Sequence, residues 1–238
     1  MSSWEWQAEA WARWARTPGH DSYWHFRDAF FDAIVPAPGR RTLEVGCGEG
    51  RVARDLARLG HTVVALDASP TLVAKAAATH PAGRYLVADA AALPFPDSAF
   101  DTVVAYNSLM DVADMPAAVR EASRVLAPGR PLCVCVTHPT ADAGRFQSKE
   151  PDAPFVIGGS YLGRHRVKEL FERDGLQMIF TGWRYPLEDY ARALEDAGLL
   201  IERLREPAAP ASALTARAGY ERWQRLPNFL HLRAVKAT

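Results

Sequence analysis

The stretch from Arg40 to Ser69, RRTLEVGCGEGRVARDLARLGHTVVALDAS, places three glycines between a strand-like run and a helix-like run. Gly46, Gly48 and Gly50 alternate with other residues. Glycine lets the backbone turn sharply and approach a ligand, and the helix that follows points its free amides at that ligand. The turn therefore predicts a binding site at the start of this helix.

The glycine spacing differs from that of a dinucleotide-binding turn, which reads G-x-G-x-x-G. Here the third glycine comes one residue early, and Arg51 stands at the last glycine position. Glu44 lies two residues before the first glycine and Glu49 lies inside the loop. Carboxylates at these positions repel a pyrophosphate and attract an ammonium group.

Asp67 directly follows the next strand-like run, TVVAL. An ionised carboxylate only accepts hydrogen bonds, so at this position it can receive both hydroxyls of a ribose. The site is thus expected to hold a nucleoside that carries an amino-acid group. S-adenosylmethionine has this chemistry.

Apolar runs alternate with helix-like segments along the first half of the chain. We predict strands over 42–45, 62–66, 84–88, 101–106 and 131–137, and a further strand, FLHLRAV, over 229–235. Continuous apolar runs joined by helices indicate parallel strands buried on both faces, and right-handed crossovers then give a doubly wound sheet.

Four segments in order resemble the class I S-adenosylmethionine-dependent methyltransferases, close to the type 11 branch. They are LEVGCGEGR, ALDAS, VADAAALPFPDSAFDTVVA and REASRVLAPGR, and the resemblance covers about residues 40 to 137. It implies a Rossmann-like, doubly wound, mostly parallel seven-stranded sheet with an antiparallel edge strand. It also implies S-adenosyl-L-methionine as the cofactor.

The resemblance assigns roles to individual positions. The cofactor-binding residues it implies are Glu44, Gly46, Cys47 and Gly48 at the methionine end, Asp67 at the ribose, Ala68, Ser69, Asp89 and Ala90 at the adenine, and Tyr106 near the sulfonium. Two alternatives stay open. Glu44 could only tie down loop amides, and Asp89 could only cap the turn that follows it.

We expect one domain over residues 1–238. Its parts are a helical lid (1–38), a cofactor-binding core (39–137), an irregular substrate-side insertion (138–185), and a closing helix with strands (186–238). A first helix is predicted over 4–16, and Asp21 can cap a second one. Phe30 and Ile34 are expected in the core. The lid aromatics Trp4, Trp11, Trp14, Tyr23 and Trp24, and the insertion aromatics Phe146, Phe155, Tyr161 and Trp183, are expected to enclose the acceptor.

Methyl transfer from a sulfonium needs alignment and exclusion of water more than it needs a dedicated base. His138 follows the fifth strand and is a candidate base, although it could equally shape the pocket wall. Tyr23 is a second catalytic candidate, with a role in the core as its alternative. The predicted substrate-binding residues are Trp24, His138, Tyr161 and Trp183.

The composition limits the class of partner. Lys plus Arg equals Asp plus Glu at 28 each, so a nucleic-acid or anionic-membrane partner is not favoured. The three cysteines, Cys47, Cys133 and Cys135, fit neither a disulfide framework nor a zinc site, and no other metal cluster is predicted. No signal peptide or membrane-spanning run is recognised, and we expect a cytoplasmic monomer or homodimer.

We therefore predict methylation of oxygen or nitrogen, or of carbon, on a small apolar or aromatic metabolite. An NAD(P)-dependent oxidoreductase is one alternative, because it shares the strand, glycine turn, helix and distal acid. A methyltransferase acting on RNA or protein, or a nucleoside-binding module without turnover, is the other.

Overall fold

The computed structural model describes residues 3–216 and 218–238. Within them, seven strands form one sheet in the order β10-β11-β5-β4-β1-β2-β3. The strands of this sheet are β1 (Thr42–Val45), β2 (Val63–Asp67), β3 (Arg84–Val87), β4 (Thr102–Tyr106), β5 (Pro131–Thr137), β10 (Leu199–Arg205) and β11 (Phe229–Lys236). The order reverses between β1 and β4, and a crevice opens beyond the carboxyl ends of the strands at such a switch point.

The predicted fold class is confirmed, and β11 is the reversed strand. It pairs antiparallel with β5 on one side and with β10 on the other. The reversed strand therefore lies one position in from the edge, and β10 is the edge strand itself. The pairs β1–β2, β1–β4, β2–β3 and β4–β5 are all parallel.

Helices cover both faces of the sheet, so its central strands are buried. Every residue of β1 and β4 is buried. Cys133 and Cys135 are fully buried in β5, and Cys47 is also a buried free thiol. The helices are α1 (Ser3–Arg16), α2 (Tyr23–Ala33), α3 (Arg51–Arg58), α4 (Pro70–Thr79), α5 (Met115–Val125), α6 (Pro139–Asp142), α7 (Leu187–Asp196) and α8 (Ala211–Ala216).

The two N-terminal helices lie where the aromatic spacing predicts them. Phe30 and Ile34 are 0% exposed, which confirms their assignment to the core. Ser22 is the residue that precedes α2, but its side chain makes no capping bond. Asp21 supplies the bond instead, because its Oδ1 accepts from the Tyr23 amide at 2.7 Å.

The prediction that residues 138–185 form an irregular segment is wrong. The strands β6 (Gly144–Phe146) and β7 (Phe155–Ile157) pair antiparallel, and so do the longer strands β8 (His165–Arg173) and β9 (Leu176–Arg184). Asp174 and Gly175 join β8 to β9 with φ of 48° and 76°, a two-residue turn with both residues left-handed. The pattern of a half-buried strand, in which apolar and polar residues alternate, is absent from β8 because it carries charged residues on both faces.

The β8–β9 hairpin lies over the carboxyl end of the sheet. Strand β9 packs against α1 and against a 3₁₀ turn, Leu109–Asp111, which follows β4. Gly182 permits this approach, since a Cβ there would lie 2.7 Å from Asp111 Oδ1. None of the helices in the described ranges is long and apolar enough to cross a membrane.

Candidate active site

The glycine turn connects β1 to α3 with every second residue in a left-handed conformation. The φ values are 76° at Gly46, 55° at Gly48 and 85° at Gly50. A Cβ at Gly46 would lie 2.3 Å from the Cβ of Ser108, and one at Gly48 would lie 3.0 Å from Trp11 Nε1. The glycines are spaced two apart because every second residue of the turn has a left-handed φ, and because Ser108 and Trp11 leave little room for a Cβ at Gly46 and Gly48.

Asp67, at the end of β2, holds the turn in place and keeps acceptor capacity. Its Oδ2 accepts from the Gly48 amide at 2.8 Å, and its Oδ1 accepts from the Ser69 amide at 2.9 Å. A carboxylate has about four lone-pair sites, so Asp67 keeps acceptor capacity for a ligand beyond its bonds to backbone amides. Burial raises the pKa of Asp67 from its ordinary value, and these amide bonds act in the opposite direction.

Glu44 is a buried carboxyl with an unsatisfied oxygen. It is 1% exposed in β1, and its Oε2 has no hydrogen-bond partner. Burial raises its pKa well above the ordinary range, and the charge of Asp67 adds to this, while Arg51 and Arg54 oppose it. One alternative was that Glu44 only ties down loop amides. The structure shows no such hydrogen bond at Oε2.

Asp89 and Ala90 follow β3 and border the same cavity. Asp89 Oδ1 accepts from the Ala91 amide at 2.9 Å, so the carboxylate does cap the turn that follows. This bond occupies one lone pair of one oxygen. Asp89 is exposed and its other oxygen can still accept a hydrogen bond from a ligand.

A cavity of about 1090 Å³ extends from the glycine turn to the β8–β9 hairpin. Ten predicted site residues line it: Glu44, Gly46, Cys47, Gly48, Asp67, Ala68, Asp89, Ala90, Tyr106 and Trp183. Five others, Tyr23, Trp24, Ser69, His138 and Tyr161, lie outside its lining. The structure therefore brings together most of the predicted cofactor positions and separates them from the predicted catalytic ones.

Neither predicted catalytic side chain reaches the cavity. His138 Nε2 lies 2.8 Å from Glu206 Oε1, and its Nδ1 accepts from the Thr140 amide at 3.1 Å. Tyr23 is 0% exposed, and its hydroxyl donates to Asp55 Oδ2 at 2.6 Å. The prediction of these two residues as bases is therefore wrong, because hydrogen bonds to Glu206, Thr140 and Asp55 hold both side chains away from the cavity.

Three more predicted residues serve local structure instead. Ser69 is buried, and its hydroxyl donates to Glu5 while accepting from the Leu72 amide, which caps α4. Trp24 Nε1 donates to the Ala15 carbonyl at 3.3 Å. The Tyr161 hydroxyl accepts from the Leu187 amide at 3.0 Å.

The aromatic lid forms from α1 and the hairpin. Trp4, Trp11 and Trp14 of α1 all line the cavity, as predicted. Trp11 and Trp14 meet Phe180 of β9 edge to face, with ring centroids 6.1 and 6.0 Å apart. Among the insertion aromatics, Phe146 and Trp183 line the cavity and Phe155 does not. Phe180, which is not among the predicted site residues, is the ring that connects α1 to the hairpin.

Two acidic residues that sequence reasoning missed line the cavity beyond the glycine turn. Asp111 lies in the 3₁₀ turn after β4, and burial raises its pKa well above the ordinary range, with Asp67 and Asp142 adding to this. Burial raises the pKa of Asp142 to about 7, against the opposing charge of Arg184. Their positions just after β4 and β5 were the available signal, because strand ends line the crevice of an open sheet.

No group of three His, Cys, Asp or Glu side chains in residues 3–216 and 218–238 could hold a metal ion. The charged side chains of the cavity wall include carboxyls beside the glycine turn and four arginines, Arg51, Arg145, Arg173 and Arg222. Carboxyls beside the glycine turn disfavour a pyrophosphate and favour a cationic group.

Comparison with known proteins connects this arrangement to one enzyme class. Residues 43–134 match the family model described as a methyltransferase domain. The demethylmenaquinone methyltransferase of Beutenbergia cavernae is 37% identical over 145 residues, which is 60% of this chain and 55% of that protein. That of Mycobacterium tuberculosis H37Rv is 37% identical over 117 residues, 49% of this chain and 48% of that protein. The chain thus spans about half the length of the curated relatives it matches.

Solved structures share the fold at low sequence identity. An S-adenosylmethionine-dependent methyltransferase from Mesorhizobium loti superposes with a TM-score of 0.71 at 23% identity, covering 91% of this chain and 98% of that one. The [4+2]-cyclase SpnF superposes with a TM-score of 0.66 at 20% identity, covering 99% and 94%. Because a cyclase also has this fold, the likeness establishes the architecture alone.

Proposed function

We propose that the chain carries a class I S-adenosylmethionine-dependent methyltransferase domain of the type 11 kind, and that the protein transfers the methyl group of S-adenosylmethionine to a small apolar or aromatic acceptor. The observation that carries the proposal is the pair of carboxyls, Glu44 and Asp67, at the glycine turn of a large, aromatic-walled cavity. The matched family model covers the strands and loops that build this end of the cavity.

The residues fit the chemistry of S-adenosylmethionine group by group. The unsatisfied Oε2 of Glu44 would accept from the ammonium of the methionine arm. The free lone pairs of Asp67 would accept from the ribose hydroxyls. Asp89 and the amide of Ala90 would bind the adenine edge. Each of these residues borders the cavity.

The acceptor would occupy the part of the cavity beneath the hairpin. Phe180 and Trp183 supply ring faces there, and Asp142 supplies a titratable carboxyl. The relatives from Beutenbergia and Mycobacterium are named for demethylmenaquinone, which contains an aromatic bicyclic ring. We extend that acceptor class, a quinone-type or other aromatic ring, to this chain as a proposal.

The reaction would be an in-line displacement, with the methyl group supplied by the sulfonium of the bound donor. The protein's part is to align the two reactants and keep water out. The α1 tryptophans and Phe180 of β9 pack together over the glycine-turn end of the cavity and would limit the access of water to the reacting groups. With a pKa of about 7, Asp142 can accept a proton from an acceptor hydroxyl at neutral pH.

Two other functions were considered from the sequence. A nicotinamide-dependent oxidoreductase would place a pyrophosphate at the glycine turn, beside the acceptor-bearing carboxyls of Glu44 and Asp67. A macromolecular acceptor would need an open groove, whereas the cavity runs between the lid and the hairpin. The first observation favours a methyltransferase over an oxidoreductase, and the second favours a small-molecule acceptor over a macromolecule.

Isothermal titration with two ligands tests the donor site. S-adenosylhomocysteine carries the amino-acid arm, and 5′-methylthioadenosine lacks it but keeps the nucleoside. Glu44→Gln is expected to weaken the first by about tenfold to a hundredfold, the range of a charge-assisted hydrogen bond, and to spare the second. Asp67→Asn is expected to weaken both.

Glu188→Gln is a matched control, because its side chain is 69% exposed on α7 and lies outside the cavity lining. It should leave both affinities unchanged. Failure of the wild-type protein to bind either nucleoside at millimolar concentration would reject the proposed function. Transfer of a labelled methyl group to demethylated naphthoquinols, compared with phenolic and amine acceptors, would then identify the acceptor.

A further inference from the structure

Arg222 lines the cavity and has a guanidinium nitrogen without a partner. The residue lies in a 3₁₀ turn, Glu221–Gln224, that precedes β11. Its Nη1 donates to the Gly219 carbonyl at 2.7 Å, whereas its Nε is buried without a hydrogen-bond partner. Arginine keeps its charge in a protein, and a buried donor of a charged group is costly when it lacks an acceptor. A ligand that places an acceptor beside Nε would remove this cost.

The charge of Arg222 has no counterion in the part of the chain that the structure describes. No carboxylate of residues 3–216 and 218–238 forms an ion pair with its guanidinium, and the same holds for Arg145 of β6, which also lines the cavity. The protein itself holds two other cations of the wall. Arg51 donates to the Asp21 carboxylate at 3.2 Å, and Arg173 donates to two backbone carbonyls in the loop between α1 and α2. The wall around Arg222 therefore suits an anion.

Aromatic rings lie beside this guanidinium. Its central carbon is 5.4 Å from the ring centroid of Phe146, and the ring of Trp223 meets that of Phe146 edge to face at 5.0 Å. Both rings line the cavity, and Arg145 precedes Phe146 in β6. A planar ring can contact Phe146 and Trp223 while an anionic substituent on it reaches Arg222.

This end of the cavity is far from the glycine turn. The turn of Arg222 leads into β11, whose Phe229 pairs with Thr137 at the carboxyl end of β5. In the sheet, β5 and β4 separate β11 from β1, which corresponds to about 14 Å at ordinary strand spacing. Under the proposed function the methionine arm of the donor lies beside Glu44 of β1. An anion at Arg222 would therefore belong to the acceptor.

We propose that the acceptor is an aromatic acid, and that Arg222 binds its carboxylate while Phe146 and Trp223 contact its ring. This proposal rests on the proposed function and narrows its acceptor class to rings that carry a carboxylate. Because Nη1 is held by Gly219, the edge formed by Nε and Nη2 is the one that faces a ligand. Two parallel donors on one edge match the two oxygens of a carboxylate.

The test titrates 2-naphthoate and 2-naphthamide into the protein saturated with S-adenosylhomocysteine, measured by calorimetry at neutral pH. The two probes share the ring and differ in the charge of the substituent. The wild-type protein is expected to bind the naphthoate at least tenfold more tightly. Arg222→Gln is expected to weaken the naphthoate by about tenfold to a hundredfold and to leave the naphthamide within about twofold, because the charge-assisted bonds are lost.

Two further variants separate charge from geometry. Arg222→Lys keeps the charge but loses the planar edge, so an intermediate loss confined to the naphthoate is expected. Arg205→Gln removes the same charge at the end of β10, where the side chain is exposed and lies outside the cavity lining, and should change neither affinity. Thermal melting establishes that each variant is folded, and Arg222→Lys carries the test if Arg222→Gln does not fold.

Three results would overturn the proposal. They are equal affinities of the wild-type protein for the two probes, an equal loss of both in the Arg222 variants, and no binding of the naphthoate at millimolar concentration. In each case the protein still binds S-adenosylhomocysteine, so the proposed donor site stands. If the wild-type protein does not bind S-adenosylhomocysteine, both proposals fail.

Discussion

Replacing Gly46 by alanine tests whether the glycine turn is as closely packed as its geometry indicates. The residue has a φ of 76°, and a Cβ added there would lie 2.3 Å from the Cβ of Ser108. Cβ atoms do not approach other carbons this closely, so the backbone must move. The amide of Gly46 and the hydroxyl of Ser108 would both be disturbed, and these donate to Leu66 O and Val45 O at 2.9 and 2.7 Å.

The expected loss of stability has two parts. An alanine held in the left-handed region costs about 1–2 kcal/mol. Overpacking against Ser108 costs about a further 1–3 kcal/mol. The total of about 2–5 kcal/mol corresponds to a fall in Tm of about 4–20 °C for a domain of this size.

Gly198→Ala is the matched control, measured by urea and thermal unfolding. Gly198 has a φ of 69°, but a Cβ there would meet nothing within 4 Å. It should therefore lose only the conformational part, about 1–2 kcal/mol. In a Ser108→Gly background the excess loss at Gly46 should shrink, since the clashing atom is gone. Equal destabilisation by Gly46→Ala and Gly198→Ala would refute the packing of the turn against Ser108.

Three further outcomes follow from the contacts of single side chains. Tyr23→Phe should lower the free energy of unfolding by about 1–3 kcal/mol, because the hydroxyl bonds the Asp55 carboxylate, while binding of S-adenosylhomocysteine measured by calorimetry stays unchanged. Asp142 has a folded pKa raised from 3.8 to about 7, so the stability it contributes is present below pH about 4 and is lost as the pH rises to about 7. The Tm of Asp142→Asn relative to wild type should accordingly be higher at pH 8 than at pH 5, and no pH dependence of this difference would contradict the burial of the group. Glu5→Ala removes the acceptor of the Ser69 and Thr71 hydroxyls, which connect α1 to α4. Amide hydrogen exchange should become faster over residues 3–16 and stay unchanged in the central strands. Faster exchange throughout the protein would contradict a local role of Glu5.

The sequence determined the sheet and the glycine-turn end of the cavity, because both depend on local patterns. The apolar runs at β1, β4 and β5 fixed which segments are buried on both faces. The alternate glycines at 46, 48 and 50 indicated a sharp turn, and in the structure all three have the left-handed backbone conformation that glycine adopts most readily. Asp67 ends β2 and so had to lie at the carboxyl edge, beside that turn.

Only the tertiary structure decided which polar side chains reach the cavity. His138 and Tyr23 are well suited to acid–base chemistry by residue type, but Glu206 and Asp55, distant in sequence, hold them elsewhere. The surroundings of Asp142 and Arg51 come from the hairpin and the lid. The burial, charged partners and direction of a side chain depend on segments that are distant in sequence. The local sequence pattern therefore does not predict those contacts.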